Sequence, residues 1–271
     1  MAGLSEPCRQ GLVFKEYRMI IHTYEKGGRG VACADYLREN IAGLGIDEVI
    51  ILPIPTTRDL LHLKDSDILL ADIEKTVSRG TFVIGYLLPE SFRDSMQSRG
   101  AIVYDAGRDE EFLVKNADLT AICTLGILLD TETRVPREMT FGIVGYGRIG
   151  KKLVRMLLFL GAGVRVYTSR DNMRLELCEF GVASSMSAKE ADLDGLDVLI
   201  NTAPAVIFDT GNGAFPEKLR VIDLASGENF PGIEVERYPS VPARMFPVSA
   251  GVILGEAAES FLRDGHMPRE K

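Results

Sequence analysis

Histidine is scarce in this chain of 271 residues, with only His22, His62 and His266. An enzyme that needs a histidine acid/base late in its sequence is left with His266, in a polar tail that cannot easily orient an imidazole. Cysteine is nearly as sparse. Cys8, Cys33, Cys123 and Cys178 have no paired spacing and no accompanying histidines, so neither a zinc site nor a disulfide framework is indicated. No metal is expected, and reduced thiols of a cytoplasmic protein are the simplest reading. Basic residues are outnumbered, 31 Lys and Arg against 39 Asp and Glu, for a net charge of −8. That balance argues against a nucleic-acid or membrane-surface role, since both need a basic face. Any anionic ligand must be met by local basic groups. No apolar run resembles a signal peptide in residues 1–18, and none reads as a membrane span. Tryptophan is also absent, without functional consequence.

What is present is a glycine-rich stretch in an informative place. Gly145, Tyr146, Gly147, Arg148, Ile149 and Gly150 follow a short apolar segment, residues 140–144, that suits a buried strand. They precede residues 151–160, a run of helix formers. In the order strand, glycine turn, helix, a G-x-G-x-x-G match becomes a dinucleotide site. Gly145 permits the turn, Gly147 lets backbone approach a pyrophosphate, and Gly150 lets helix and strand pack closely. The helix N-terminus supplies N–H donors and positive dipole to the phosphates.

The end of the next strand selects the dinucleotide. A carboxylate for the ribose of NAD belongs about twenty residues beyond the glycines, but the chain has Thr168, Ser169 and Arg170 there, with no acid before Asp171. Two hydroxyls and a guanidinium do not repel a 2′-phosphate and can hydrogen-bond it. NADP is favoured over NAD. The plain alternative is that Arg170 is a solvated loop residue and Asp171 takes the ribose.

At 46% apolar residues the chain can build cores for two domains, and strand and helix alternate in two successive series. The first has strands at residues 19–22, 49–54, 68–71, 82–88 and 102–105, with helices at 30–41 and after Pro89. Residues 110–129 read as one or two helices, broken or bent near Asn116. The second series has strands at 182–183, 198–200, 221–224 and an edge strand at Met245 and Phe246. It also has helices at 173–180, after a capping-box signature at Ser187 to Glu190, and at 251–263. The expected class is α/β with two parallel-sheet domains: an N-terminal flavodoxin- or Rossmann-like domain and a C-terminal NAD(P)-binding Rossmann domain. Residues 17–117 form the first and 118–250 the second, with a final helix, 251–264, packing back on the first.

Open parallel sheets bind ligands beyond the carboxyl ends of their strands. In the first series the second strand runs out through Pro53 and Pro55 into Thr56, Thr57 and Arg58, a compact anion-recognition group suited to substrate. An ordinary turn with a surface arginine is the bland alternative. In the second series Asn201, Thr202, Ala203 and Pro204, and then Ser226, are small or polar residues that can approach a nicotinamide and its ribose. Ser249 stands at the start of the last helix, a second place for a carboxylate.

These strand ends carry a family resemblance. Residues 53–58, 143–150, 200–204, 222–226 and 247–251 together resemble the A subunit of dipicolinate synthase over most of the chain. The resemblance implies an N-terminal α/β domain, an NADP-binding Rossmann domain, and oxidation of dihydrodipicolinate to dipicolinate in spore formation, alongside a flavoprotein-like B subunit. It also implies that Arg58, Thr56 and Thr57 hold a carboxylate of a small dicarboxylate substrate, and that Arg170 holds the 2′-phosphate. A homo-oligomer is expected. Three stretches depart from the family pattern: His22 to Gly30 in place of a Gly-Gly-Asp turn, Ile122 and Cys123 in place of an acid and glycine, and Ala243 in place of a glycine. Two other readings stay open: a D-2-hydroxyacid-dehydrogenase-like enzyme acting on another carboxylate, and a non-catalytic NADP sensor. Because oxidising a dihydropyridine gains aromaticity, the first reading assigns the protein mainly orientation and charge complementarity, without a strong base.

Overall fold

The computed structural model describes residues 19–185, 193–205, 215–216 and 218–265. In the first sheet β1 (Ile20–Thr23), β2 (Glu48–Ile51), β3 (Phe82–Gly85) and β4 (Ile102–Asp105) lie side by side in chain order, each neighbouring pair parallel. β3 reads Phe-Val-Ile-Gly and is buried at every position, as expected of a strand covered on both faces. Helix α1 (Gly28–Asn40) contributes Cys33 and Leu37 to the core on one face; α2 (Leu70–Thr76) and α3 (Glu90–Ser98) contribute Ile73, Phe92 and Met96 on the other.

The connection between the sheets is α4 (Glu110–Thr131). Asp109 caps it by accepting the Phe112 N–H at 3.1 Å, and Glu110 and Glu111 sit in the first turn, where negative charge complements the helix dipole. Phe112 belongs to the first core, whereas Leu119, Ala121, Cys123 and Leu128 belong to the second. The break expected near Asn116 is not there. One helix runs through, with the Thr120 hydroxyl donating to the Asn116 carbonyl and that of Thr124 to the Thr120 carbonyl. α4 also corrects the reading that no segment is long and apolar enough to span a membrane, since by length and composition it qualifies. Phe112, Leu119, Cys123, Ile127 and Leu128 pack instead into the two cores, while Val114, Ile122 and Leu129 are exposed.

The second sheet holds β5 (Thr140–Val144), β6 (Gly163–Tyr167), β7 (Ala183–Ser185), β8 (Val198–Asn201), β9 (Arg220–Asp223) and β10 (Glu236–Arg237). They are all parallel, in the order β10-β9-β8-β5-β6-β7. The chain reverses direction across the sheet between β5 and β8, and a crevice opens at such a reversal, beyond the carboxyl ends of the strands. The described strands of the first sheet have no reversal. α5 (Arg148–Phe159) and α6 (Asp171–Glu179) follow β5 and β6.

Two expected strands are helices instead. Residues 68–71 make one antiparallel bridge, Leu69 to His62, and then start α2. Met245 ends α7 (Val241–Met245), and the edge strand is β10 (Glu236–Arg237), nine residues earlier than the Met245–Phe246 reading placed it. In both cases a short apolar pair was legible but its period was not. The capping-box signature at 187–190 lies outside the described residues.

The last helix, α8 (Pro247–Arg263), returns to the first sheet, burying Leu254, Ala258 and Leu262 in its core. Gly251 and Gly255 let it lie close against α1. A methyl group at 251 would strike the Arg29 carbonyl, and one at 255 would come within 2.6 Å of the Tyr36 ring. The Tyr36 hydroxyl then donates to Glu259 at 2.8 Å, fixing the two helices in register.

Candidate active site

The glycine turn leaves β5 through Gly145, whose φ of +88° favours glycine. Thr202, just past β8, braces it from beneath by donating its hydroxyl to the carbonyls of Val144 at 2.9 Å and Gly145 at 3.3 Å. A side chain at Gly150 would collide with the Gly145 carbonyl, so this position sets how closely α5 approaches the strand. Gly147 differs from both. Its φ of −84° suits any residue, and a methyl group there would meet nothing. Neither fold nor packing asks for a glycine at 147. The first turn of α5 contains no acid and has no side-chain cap, leaving its N–H groups for an anion. These residues fit a dinucleotide diphosphate.

The other residues of the turn divide by direction. Tyr146 is buried in the second core with the Lys151 ammonium 5.1 Å from its ring centre, and Ile149 packs against the same core. Arg148 faces outward. Its guanidinium pairs with Glu110 of α4 through both carboxylate oxygens.

At the exit of β6, Thr168 is buried and its N–H donates to the Ser185 carbonyl at 3.0 Å, while Ser169 and Arg170 are exposed. Asp171, the acid that would suit a ribose, is paired with Arg174 one turn along α6. Arg174 also donates to the Thr168 carbonyl at 3.3 Å, so a second guanidinium stands beside Arg170. The sequence reading missed Arg174, although its three-residue spacing from Asp171 on a helix was visible.

At the exits of β8 and β9, Asn201 is fully buried and its amide is engaged at both ends. Its Nδ2 donates to Asp223 at 2.8 Å and to the Ala203 carbonyl at 3.1 Å, and its Oδ1 accepts the Ala203 N–H at 3.0 Å. Asp223, to which the sequence reading gave no role beyond ending its strand, is 2% exposed and also accepts from the Asn229 amide at 3.1 Å and the Ala225 N–H at 3.2 Å. Two amides and a backbone N–H thus solvate a buried carboxylate and lock the two strand exits together. Exposed at these exits are Pro204 and Ser226, with half-buried Ala203 beside them.

Across from them, the exit of β2 is more heavily charged than the sequence suggested. Thr56 does not join a substrate-binding group: it is fully buried, and its hydroxyl accepts the Tyr86 N–H at 2.9 Å. The Thr57 hydroxyl accepts the Leu60 N–H at 3.0 Å. Arg58 is 61% exposed, with Asp65 only loosely paired at 3.7 Å. Together with Asp59, His62 and Lys64 it lines a cavity of about 300 Å³. Beneath lies a buried ion pair, Arg29 to Glu25 at 2.6 Å, whose second carboxylate oxygen accepts the Ile54 N–H at 2.9 Å. Half-buried Lys64 donates to the Ile54 carbonyl at 2.9 Å and to the Ser240 hydroxyl of the second unit at 3.2 Å. Desolvation pulls its ammonium below the usual lysine range, against the opposing pull of Glu25 and Asp65.

Ser249 is exposed in the first turn of α8, which reaches the start of α1 through Pro247 packed on Gly28. Ile122, where the family pattern has an acid, is 41% exposed on α4, flanked by the fully buried Ala121 and Cys123. Burial pushes the Cys33 and Cys123 thiols up to about 12 and about 11, which removes both as thiolate nucleophiles.

No protein-family model matches the sequence, and no curated protein matches it. Solved structures do share the fold. The dipicolinate synthase A subunit from Bacillus halodurans is 20% identical with a TM-score of 0.71, the alignment covering 90% of this chain and 96% of that one. The corresponding chain of dipicolinate synthase from Bacillus subtilis is 17% identical with a TM-score of 0.72, covering 91% and 96%. A transhydrogenase from Sinorhizobium meliloti is 16% identical with a TM-score of 0.59, covering 91% and 93%.

Proposed function

We propose that the chain is an NADP-dependent oxidoreductase that oxidises a small cyclic dicarboxylate, the reaction on dihydrodipicolinate that its resemblance to the dipicolinate synthase A subunit implies. The observation that carries the reading is Gly147, a glycine that neither the turn nor the packing requires, at the head of a helix with no acid in its first turn. Gly145, Gly147 and the first turn of α5 would hold the diphosphate, with Ser169, Arg170 and Arg174 around the 2′-phosphate and buried Thr168 supporting them from beneath. Bound there, the nicotinamide supplies the hydride acceptor.

The chain's own residues bind and orient substrate. Arg58 offers a guanidinium with free donors and the start of α8 at Ser249 a helix end for a second carboxylate, while the Thr57 hydroxyl gives its hydrogen to Asp59 beside them. Pro204 and Ser226 line the opposite wall. Likeness in fold to two dipicolinate synthase chains over nine-tenths of the sequence supports the assignment, as do the strand-exit motifs. A cytoplasmic setting, a role in spore formation and pairing with a B subunit belong to the same reading.

The test is to follow NADPH absorbance with NADP and dihydrodipicolinate, with and without a B subunit. Dicarboxylate-dependent NADPH formation is expected. NADP binding without turnover in either mixture would overturn the substrate, and turnover of 2-hydroxy acids instead would replace it.

A further inference from the structure

The reaction proposed above releases a proton as well as a hydride, and the exit of β2 contains a pair of side chains built to accept one. The Asp59 carboxylate is held on one side by the N–H groups of Leu61 at 2.9 Å and His62 at 2.8 Å and by the Thr57 hydroxyl at 3.2 Å. Its other oxygen lies 2.7 Å from Nδ1 of the His62 ring. An ionised carboxylate only accepts, so Nδ1 carries the hydrogen, and in the neutral ring the lone pair is left on Nε2. The hydrogen bonds from the His62 backbone, then from its ring and from Leu61, hold the Asp59 carboxyl well below the ordinary carboxylate range, so it stays an acceptor at neutral pH.

The ring stands on a fixed support. Leu63, the next residue, is 1% exposed and donates to the Ile68 carbonyl at 2.8 Å, and Leu70 donates to the Leu61 carbonyl at 2.9 Å, closing the excursion at its neck. Lys64, two residues after His62, reaches Ser240. Ser240 follows β10 at the carboxyl edge of the second sheet, where the Tyr238 N–H donates to the Asp223 carbonyl at 3.0 Å. The excursion that carries His62 and its cavity is thus tied through Lys64 to the residue region that follows β10 of the second sheet. The charged groups around the ring there are Arg58, Asp59, Lys64, Asp65 and Asp67.

We propose that His62 is the catalytic proton acceptor of this site and Asp59 the residue that positions it. The inference rests on the oxidoreductase reading above. One C–H bond of the dihydropyridine breaks with its electron pair leaving as hydride to an oxidised nicotinamide dinucleotide. A second C–H bond gives its proton to Nε2 of His62, and its electrons stay in the ring to complete the aromatic sextet. His62 then returns the proton to water. The expectation that aromatisation leaves the protein with orientation alone is thereby revised.

Having only three histidines makes ring-nitrogen magnetic resonance of the full chain straightforward to assign, with His62→Gln identifying the signal. The neutral His62 ring is expected with its proton on Nδ1, a preference lost in Asp59→Asn. Adding NADP with pyridine-2,6-dicarboxylate is expected to move the His62 signals and leave those of His22 in place. In turnover, His62→Gln is expected to lower kcat by about 10²–10⁴-fold and to abolish the acidic limb of the pH profile, with NADP affinity unchanged. Asp59→Asn should fall between the two. Activity of His62→Gln within about threefold of wild type, with the same pH profile, would overturn the proposal. So would ring signals that ignore the dicarboxylate while NADP binds. If the wild type shows no turnover but the His62 signals still respond to the ligand pair, the assigned reaction falls and His62 keeps its place in the ligand site.

Discussion

Glu110 and Arg148 close on each other between the first turns of α4 and α5, with the Arg148 Nε donating to the Glu110 carboxylate at 2.8 Å and its Nη2 engaging the second oxygen. The contact holds a carboxylate beside the helix end that the proposed diphosphate approaches. A negative charge there competes with the phosphates for the same guanidinium and the same dipole. Glu110→Gln is therefore expected to tighten NADP binding by about two- to fivefold in dilute buffer, the gain fading as salt screens it. Calorimetric titration at two ionic strengths measures this. Weaker binding in the variant would mean that Glu110 holds Arg148 in its binding position.

Two of the glycines of the turn, Gly147 and Gly150, make separable predictions. Gly147→Ala adds a methyl group where nothing stands in the protein, so its melting temperature should stay close to wild type while NADP affinity falls by more than about tenfold. Gly150→Ala drives a methyl group into the Gly145 carbonyl and should destabilise the fold by about 1–3 kcal/mol. Thermal melts with and without NADP distinguish the two. Equal behaviour would contradict the division between a ligand-facing and a packing glycine.

Much of this site was legible in the chain, and the reasons for the rest are specific. The parallel strands announce themselves as short apolar runs bounded by turn residues, and the glycine spacing with its flanking strand and helix located the crevice. Side-chain direction was not legible. Thr56 and Thr57 look equivalent in sequence, yet one is buried against Tyr86 and the other lies at the rim. Asn201 reads as a ligand amide until Asp223, 22 residues later, is seen to claim it. His62 carries little signal in the sequence, because an i, i+3 partner in a loop has no weight until the loop folds into a turn around Asp59.

Arg220 ties the far edge of the second sheet to the end of α4, pairing with both oxygens of Glu236 at 2.6 and 2.8 Å and with Glu132 at 2.6 Å. The Arg220 guanidinium holds the Glu236 carboxyl below its ordinary 4.5. A carboxyl depressed in the folded state contributes stability above its unfolded value and loses it as pH falls through the folded one. Arg220→Met is expected to cost about 1–3 kcal/mol at neutral pH, with the two stability curves converging below about pH 4. Urea unfolding across that range measures it. A constant gap down to acid pH would show that packing, and not the ion pair, makes the contribution.

The claim on which the rest depends is that the glycine turn and the Thr168 to Arg174 segment hold NADP. A calorimetric titration of the wild-type chain with NADP and with NAD under identical salt tests it directly. NADP is expected to bind at least about tenfold more tightly, a difference of roughly 1.4 kcal/mol. Tighter binding of NAD, or binding of neither, would contradict the account.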